Sequence, residues 1–277
     1  MNLLRNYLVA IFAVMAIASA SASKIDTLSV ESNSMDKKIA VTVISPDSVT
    51  GKLPVVYLLH GYGDNNLRGY LNLSNVDKYA DKLGLIIVIP DGDTSWYFDS
   101  PIDKTYRYET FVSKELVNYI DSHYPTIADR NHRAITGLSM GGHGALFLAI
   151  RHQPTFGAAG SMSGGVDFRP FPKNWDIAKR LGDKDSNPEN WDNYTVMAQL
   201  PRLQPGALQL IIDCGTEDFF YQVNCALHEE LANRKIPHEF TSRPGSHNWK
   251  YWNRSLRDHF LFFNDYFTLP PDNPTAK

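Results

Sequence analysis

The sequence predicts an α/β fold, a mostly parallel central sheet with helices on both faces, entered through an antiparallel pair of strands. Three observations carry this expectation. Uninterrupted apolar runs at 54–59 and 85–90 have the composition of strands covered on both faces. Segments with apolar residues at helical spacing alternate with such runs, as at Phe111, Leu116 and Ile120. Finally, an apolar β-branched run passes into a helix-forming run through Gly137-Leu138-Ser139-Met140-Gly141, the signature of an abrupt strand-to-helix turn.

The first 22 residues stand apart from this pattern. Arg5 supplies a positive start and residues 8–18 form an apolar core too short for a permanent span. The small-x-small runs at 18–20 and 20–22 suit a processing site, so 1–22 reads as an export signal peptide. No other stretch reaches spanning length, and stable membrane insertion is not expected. Residues 23–277 are expected to form one domain, since 43% hydrophobic and 12% aromatic residues suffice for one large core. A net charge of −3 without a basic stripe argues against a nucleic-acid partner. No feature specifies an oligomeric state.

In chain order, 27–34 and 38–45 alternate or are β-branched, which predicts the antiparallel entry. Strands follow at 54–59, 85–90, 133–136, 158–162, 208–213 and 238–242. Helices are expected at 76–83, 108–123, 145–150, 221–233 and 249–267, and 270–274 reads as a loose tail. The longest stretch without a strand, 165–205, carries Phe168, Phe171, Trp175 and Trp191. Its place between strands predicts a cap over Ser139. The acidic run at 183–187 lacks the glycine and terminal glutamate of a calcium loop. Zinc spacing, a phosphate loop and a dinucleotide fingerprint do not occur, so neither metal nor cofactor is expected.

The tight turn projects the Ser139 side chain outward, and the helix behind it aims free N–H groups and a positive dipole end at any anion beside it. That is the architecture of a nucleophile for acyl transfer. A serine needs an imidazole to take its proton, and the loop Pro244-Gly245-Ser246-His247 follows the last expected strand. His143 is too near in sequence to fold back, and His152, His228 and His259 lie on or at the ends of helices, where a solvated histidine is expected. An acid belongs between serine and histidine. Asp218 sits where the chain has cleared its strand, Glu217 is its neighbouring rival, and Asp213 is expected to brace the loop. The oxyanion receptor is expected from the Met140 N–H and the Tyr62 N–H in His60-Gly61-Tyr62-Gly63. Trp96, Tyr97, Phe219 and Trp249 are pocket candidates beside these loops, whereas Trp252 is expected to pack on its own helix. Cys214 and Cys225 bracket Glu217 and Asp218, either as a disulfide or as two thiols.

Leu58-Leu59-His60-Gly61, Pro90-Asp91-Gly92, Ser95-Trp96-Tyr97-Phe98-Asp99-Ser100-Pro101, Tyr108-Glu109-Thr110, Gly137-Leu138-Ser139-Met140-Gly141-Gly142, Cys214-Gly215-Thr216-Glu217-Asp218 and His247-Asn248-Trp249 together carry a resemblance. Over roughly 34–267 the chain resembles the esterase D branch of the α/β-hydrolases, which includes S-formylglutathione hydrolases, tributyrin-type and feruloyl esterases, and mycolyltransferases. The resemblance implies Ser139 as nucleophile, Asp218 as acid, His247 as base and an oxyanion hole from Tyr62 and Met140. Glutathione-linked members are typically cytosolic, which the export signal disfavours, and 95–101 is most similar to the tributyrin and feruloyl type. The expectation is an exported serine carboxylesterase acting on acyl esters, with acetyl or feruloyl groups on polysaccharide as substrate. The alternatives are an acyltransferase using the same acyl-enzyme, or a non-catalytic carbohydrate-binding relative.

Overall fold

The computed structural model describes residues 23–48 and 50–269; the expected export signal and the tail at 270–274 lie outside the described residues. Eight strands among the described residues form one sheet: β1 (Lys24–Ser32), β2 (Lys37–Ser45), β3 (Val55–Leu59), β4 (Ile86–Pro90), β5 (Arg133–Gly137), β6 (Ala158–Met162), β7 (Gln209–Gly215) and β8 (Glu239–Arg243). Their order is β1-β2-β4-β3-β5-β6-β7-β8, antiparallel across β1, β2 and β4 and parallel from there on. The α/β expectation and its antiparallel entry describe this sheet.

The inner strands are buried along nearly their whole length because both faces are covered, and β3 and β4 are apolar throughout. Along β3 the side chains alternate between two cores. Val55, Tyr57 and Leu59 join the side that holds Leu146, Phe147 and Ile150 of α1 (Met140–Arg151). Val56 and Leu58 join the side that holds Leu256, Phe260 and Phe263 of α3 (Trp249–Thr268). Each fully buried Phe contributes roughly 1.5–3 kcal/mol of transfer free energy. The helix α2 (Tyr221–Asn233) joins β7 to β8, whose mostly exposed, polar Glu239–Arg243 forms one edge of the sheet.

One detail departs from the expected elements. The helix expected at 108–123 carries a π-helical turn at Phe111–Glu115, so its apolar face is not one regular stripe. The segment expected as a cap holds three short helices, Ile177–Leu181, Pro188–Asn193 and Val196–Gln199, and buries Phe168 and Trp191 completely. No helix among the described residues is long and apolar enough to cross a membrane.

After β4 the chain returns across β3 to form β5, so consecutive strands leave β3 on opposite sides. The crevice beyond the carboxyl ends of β3 and β5 is where such sheets place ligands. Residues 60–63 and Ser139 both emerge there.

Candidate active site

Ser139 adopts φ 56° and ψ −117°, a strained conformation for a residue with a side chain. Backbone bonds on both sides hold it there: its N–H donates to Met162 O at 3.0 Å, and its own carbonyl accepts from His143 N–H and Gly165 N–H at 3.1 and 3.2 Å. The turn has no room for side chains at its ends. A Cβ on Gly137 or Gly141 would press into the Leu59 backbone.

His247 Nε2 lies 2.9 Å from Ser139 Oγ, and its Nδ1 lies 2.8 Å from Asp218 Oδ2. Asp218 is buried, and its other oxygen accepts from Phe220 N–H at 2.9 Å, which fixes the carboxylate plane. A carboxylate can only accept, so Nδ1 carries the proton and Nε2 is left to accept from the serine hydroxyl. The two loops are joined by backbone bonds, Thr216 N–H to Arg243 O and Glu217 N–H to Gly245 O, each 3.0 Å. Asn248 caps α3 by accepting from Tyr251 N–H at 3.2 Å, so the histidine loop is anchored at its far end too. Glu217, the rival acid, instead accepts from the neighbouring Thr216 hydroxyl.

The loop after β3 is set by a buried imidazole. Gly92 N–H donates to His60 Nε2 at 2.7 Å, so the ring proton sits on Nδ1 and donates to Gly61 O at 2.8 Å. Across a trans peptide the Tyr62 N–H points away from that carbonyl. Neither the Tyr62 nor the Met140 N–H has an acceptor among the described residues, and Gly61 packs beside the Ser139 side chain. The Met140 N–H directly follows the serine, and the Tyr62 N–H lies on the loop whose Gly61 packs against it.

A cleft of about 520 Å³ opens over Ser139 and His247. Phe219 and Trp249 line it as expected of pocket residues, and Trp175 and Trp252 line it as well. Trp252 is thus not confined to its own helix face: its ring meets His247 edge-on at 4.9 Å and Trp249 at 5.5 Å. Trp96 and Tyr97 do not belong to the pocket. Both are essentially inaccessible, Trp96 against Phe168 and His143, and Tyr97 donating its hydroxyl to His60 O at 3.1 Å. Their apolar bulk stabilises the floor under the loops, a role that adjacency in sequence to a catalytic loop does not distinguish from lining. A second recess of about 310 Å³ lies away from Ser139, between Arg151, Tyr194, Gln199 and Arg202; Arg151 there is engaged by Glu109 and Gln199.

The remaining histidines correct the expectation of solvated rings. His152 meets Glu109 at 2.8 Å and His228 meets His238 at 2.7 Å. His259 is fully buried between Asp213 (2.8 Å) and Thr136 (2.7 Å), so Asp213 ties β7 to α3 rather than bracing only its loop. His143 is sealed between Trp96 O at 3.0 Å and Tyr194 O at 2.9 Å; burial outweighs those two carbonyls and pushes its pKa down to about 4. The period of an amphipathic helix distinguishes faces, but polar residues on the inner face escape it. Cys214 and Cys225 are free thiols, and burial pushes the Cys214 thiol pKa up. Among the described residues no three His, Cys, Asp or Glu side chains converge as metal ligands.

The family model described as "Putative esterase" matches residues 32–263. An acetyl esterase of Caldicellulosiruptor saccharolyticus is 26% identical over 237 residues, covering 81% of this chain and 86% of that protein. The esterase Rv1288 of Mycobacterium tuberculosis is 30% identical over 237 residues, 75% of this chain; the chain spans about half of that relative, 52% of its length. Among solved structures, a ferulic acid esterase superposes with a TM-score of 0.76 at 31% identity, covering 89% of this chain and 99% of that one. With the family model spanning β2 to β8, the chain belongs to the Esterase family and has the α/β-hydrolase fold.

Proposed function

We propose that this protein is an exported serine carboxylesterase that works through an acyl-enzyme. The observation that carries the reading is the unbroken chain from Ser139 through His247 to Asp218, open to a cleft. Ser139 Oγ attacks the ester carbonyl carbon while His247 Nε2 takes the hydroxyl proton. Asp218 holds the tautomer and stabilises the imidazolium. The oxyanion is received by the Tyr62 and Met140 N–H groups. Collapse breaks the bond to the alcohol oxygen, which leaves with the proton from His247. Water then enters and gives a proton to His247 as its oxygen bonds to the acyl carbon; collapse breaks the bond to Ser139 Oγ, which takes that proton back from His247 as the acid leaves.

The acetyl esterase and ferulic acid esterase relatives support acetyl or feruloyl groups on polysaccharide as the natural ester. Export rests on the signal pattern in 1–22, and the check is N-terminal sequencing of the processed protein from outside the cytoplasm. The test of the chemistry is p-nitrophenyl acetate hydrolysis by the processed protein, beside Ser139→Ala and a serine-reactive phosphonate. Turnover that disappears in the variant, with one covalent adduct on Ser139, is the expected result. Absence of both turnover and adduct would leave a carbohydrate-binding relative as the better reading. Acyl transfer to added glycerol outrunning hydrolysis would make the enzyme a transferase.

A further inference from the structure

Ser139 and Asp218 stand on different segments of the chain, and a single buried side chain joins the supports of both. Asn224 lies in the first turn of α2 with no exposure to solvent. Its Nδ2 donates to Gly164 O and to Phe220 O, each at 2.9 Å. Two carbonyls fix the orientation of this amide, because the reversed one would set oxygen against oxygen. Asparagine is a poor helix former and a buried amide is costly to desolvate, so filling space would favour a leucine here.

The two carbonyls belong to opposite halves of the catalytic array. Phe220 N–H donates to Asp218 Oδ1 at 2.9 Å, so Asn224 grips the residue that fixes the carboxylate. The Phe220 ring also meets His247 edge-on, with centroids 5.6 Å apart. On the other side, one peptide unit carries both Gly164 O and Gly165 N–H. Its oxygen accepts from Asn224, and its N–H donates to the Ser139 carbonyl at 3.2 Å. That unit is closely packed: a Cβ on Gly164 would press on Gly142 of α1, and one on Gly165 would meet the Phe220 ring. Gly164 O has no other donor among the described residues. Without the amide this buried oxygen turns to recover a partner, and the N–H on the same peptide moves off Ser139.

We infer that Asn224 is a positioning residue for the reaction at Ser139. Its amide sets the register between the nucleophile turn and the Asp218 loop, and through it the reach of His247 Nε2 to Ser139 Oγ. The inference rests on the esterase reading above. Asn224 does not line the cleft, so its loss alters the alignment of the reacting groups and leaves binding of the ester in place. A misplacement on the order of 1 Å at such groups costs about 100-fold in rate.

The experiment measures p-nitrophenyl acetate hydrolysis by the wild type, Asn224→Leu, Asn224→Ser and Leu227→Ala. Leucine keeps the volume without a donor, serine keeps one donor, and Leu227→Ala loosens the same helix through its buried apolar face. A serine-reactive phosphonate counts the competent sites at completion and reports the reactivity of Ser139 through its labelling rate. The expected result for Asn224→Leu is a fall of about tenfold or more in both kcat and labelling rate per site, with KM within about threefold. Asn224→Ser is expected to fall less, and Leu227→Ala to lower the urea midpoint with kcat per site within about threefold. A kcat per site in Asn224→Leu within about threefold of wild type overturns the assignment and leaves the esterase intact. An equal kcat loss in Leu227→Ala overturns it too, since loosening of the helix would then suffice. If Asn224→Leu yields no labelled protein, Asn224→Ser decides by the same threefold limit. A wild type that neither turns over nor takes the phosphonate removes the esterase reading itself, and the inference with it.

Discussion

The molecule contains two hydroxyl–imidazole–carboxylate arrays, one in the turn and loops that follow β5, β7 and β8 and one within β5, β7 and α3. One is Ser139–His247–Asp218, with contacts of 2.9 and 2.8 Å. The other is Thr136–His259–Asp213, with contacts of 2.7 and 2.8 Å. Distance does not separate them. The His247 side chain retains 15% exposure beside a cleft, whereas His259 has none. Thr136 lies within β5, while Ser139 stands past its end on a strained turn beside the loop that follows β3. The comparison teaches that such an array is chemically useful only where a carbonyl can reach the hydroxyl and donors await the charge that develops. Sealed beneath α3, the same groups serve as a brace. Asp213 also accepts from Ser255 of α3, and the His259 ring occupies the space above Gly160 of β6.

The largest effect that would break or sharpen this contrast is expected at the two hydroxyls. Ser139→Ala should lower kcat by roughly 10⁴-fold or more without lowering stability, whereas Thr136→Val should cost about 1–3 kcal/mol of stability and leave kcat per folded molecule nearly unchanged. Steady-state kinetics and urea melts on both variants check this, and comparable kcat losses would erase the distinction.

The carboxylates should divide the same way. Asp218→Asn reverses the tautomer preference and is expected to reduce kcat by about 10⁴-fold. Asp213→Asn leaves buried donors on α3 without a charged acceptor, so a loss of roughly 3 kcal/mol should appear in the unfolding midpoint instead.

A third imidazole supplies a pH arm. His143 is held neutral by burial, with its pKa near 4 against an ordinary 6.5. Below 6.5 the unfolded chain binds a proton that the native state refuses until about 4. Stability therefore falls as pH falls through that window, by up to about 3 kcal/mol from this group. The difference in urea midpoint between pH 7 and 4.5 should shrink in His143→Gln; an unchanged difference would show that other groups carry the acid sensitivity.

Smaller still is the effect of crowding the brace. Gly160→Ala would set a methyl group against the His259 ring and the Thr136 hydroxyl, at an expected cost of about 1–3 kcal/mol, read as a lower Tm with the KM for p-nitrophenyl acetate unmoved. The smallest belongs to the surface. Lys179→Ala removes an exposed pair with Asp176 and should change stability by less than about 0.5 kcal/mol.

Much of this molecule is legible in its sequence because the signals are local. Apolar runs such as 54–59 and 85–90 can only be strands with two covered faces. The glycines around Ser139 announce a turn no bulkier residue permits. The same locality makes Asp218 and His247 stand out, since each follows directly on a strand. What lies across the sheet is not written locally. His259 lies on α3 and His247 in the loop before it, and only the packed fold decides that one ring is sealed against Asp213 while the other meets Asp218 beside the cleft. Trp96 and Trp252 exchange their expected places for the same reason: adjacency along the chain says which loop a ring belongs to, not which side of the loop faces the cleft. Trp175, far from every catalytic loop in sequence, reaches the cleft through two residues in the left-handed conformation. The sequence alone determined the sheet, the elbow and the order of the polar groups, because backbone sterics and hydrophobic period act over a few residues. The tertiary structure decided which of those groups are open to a substrate, because burial is a property of the packed whole.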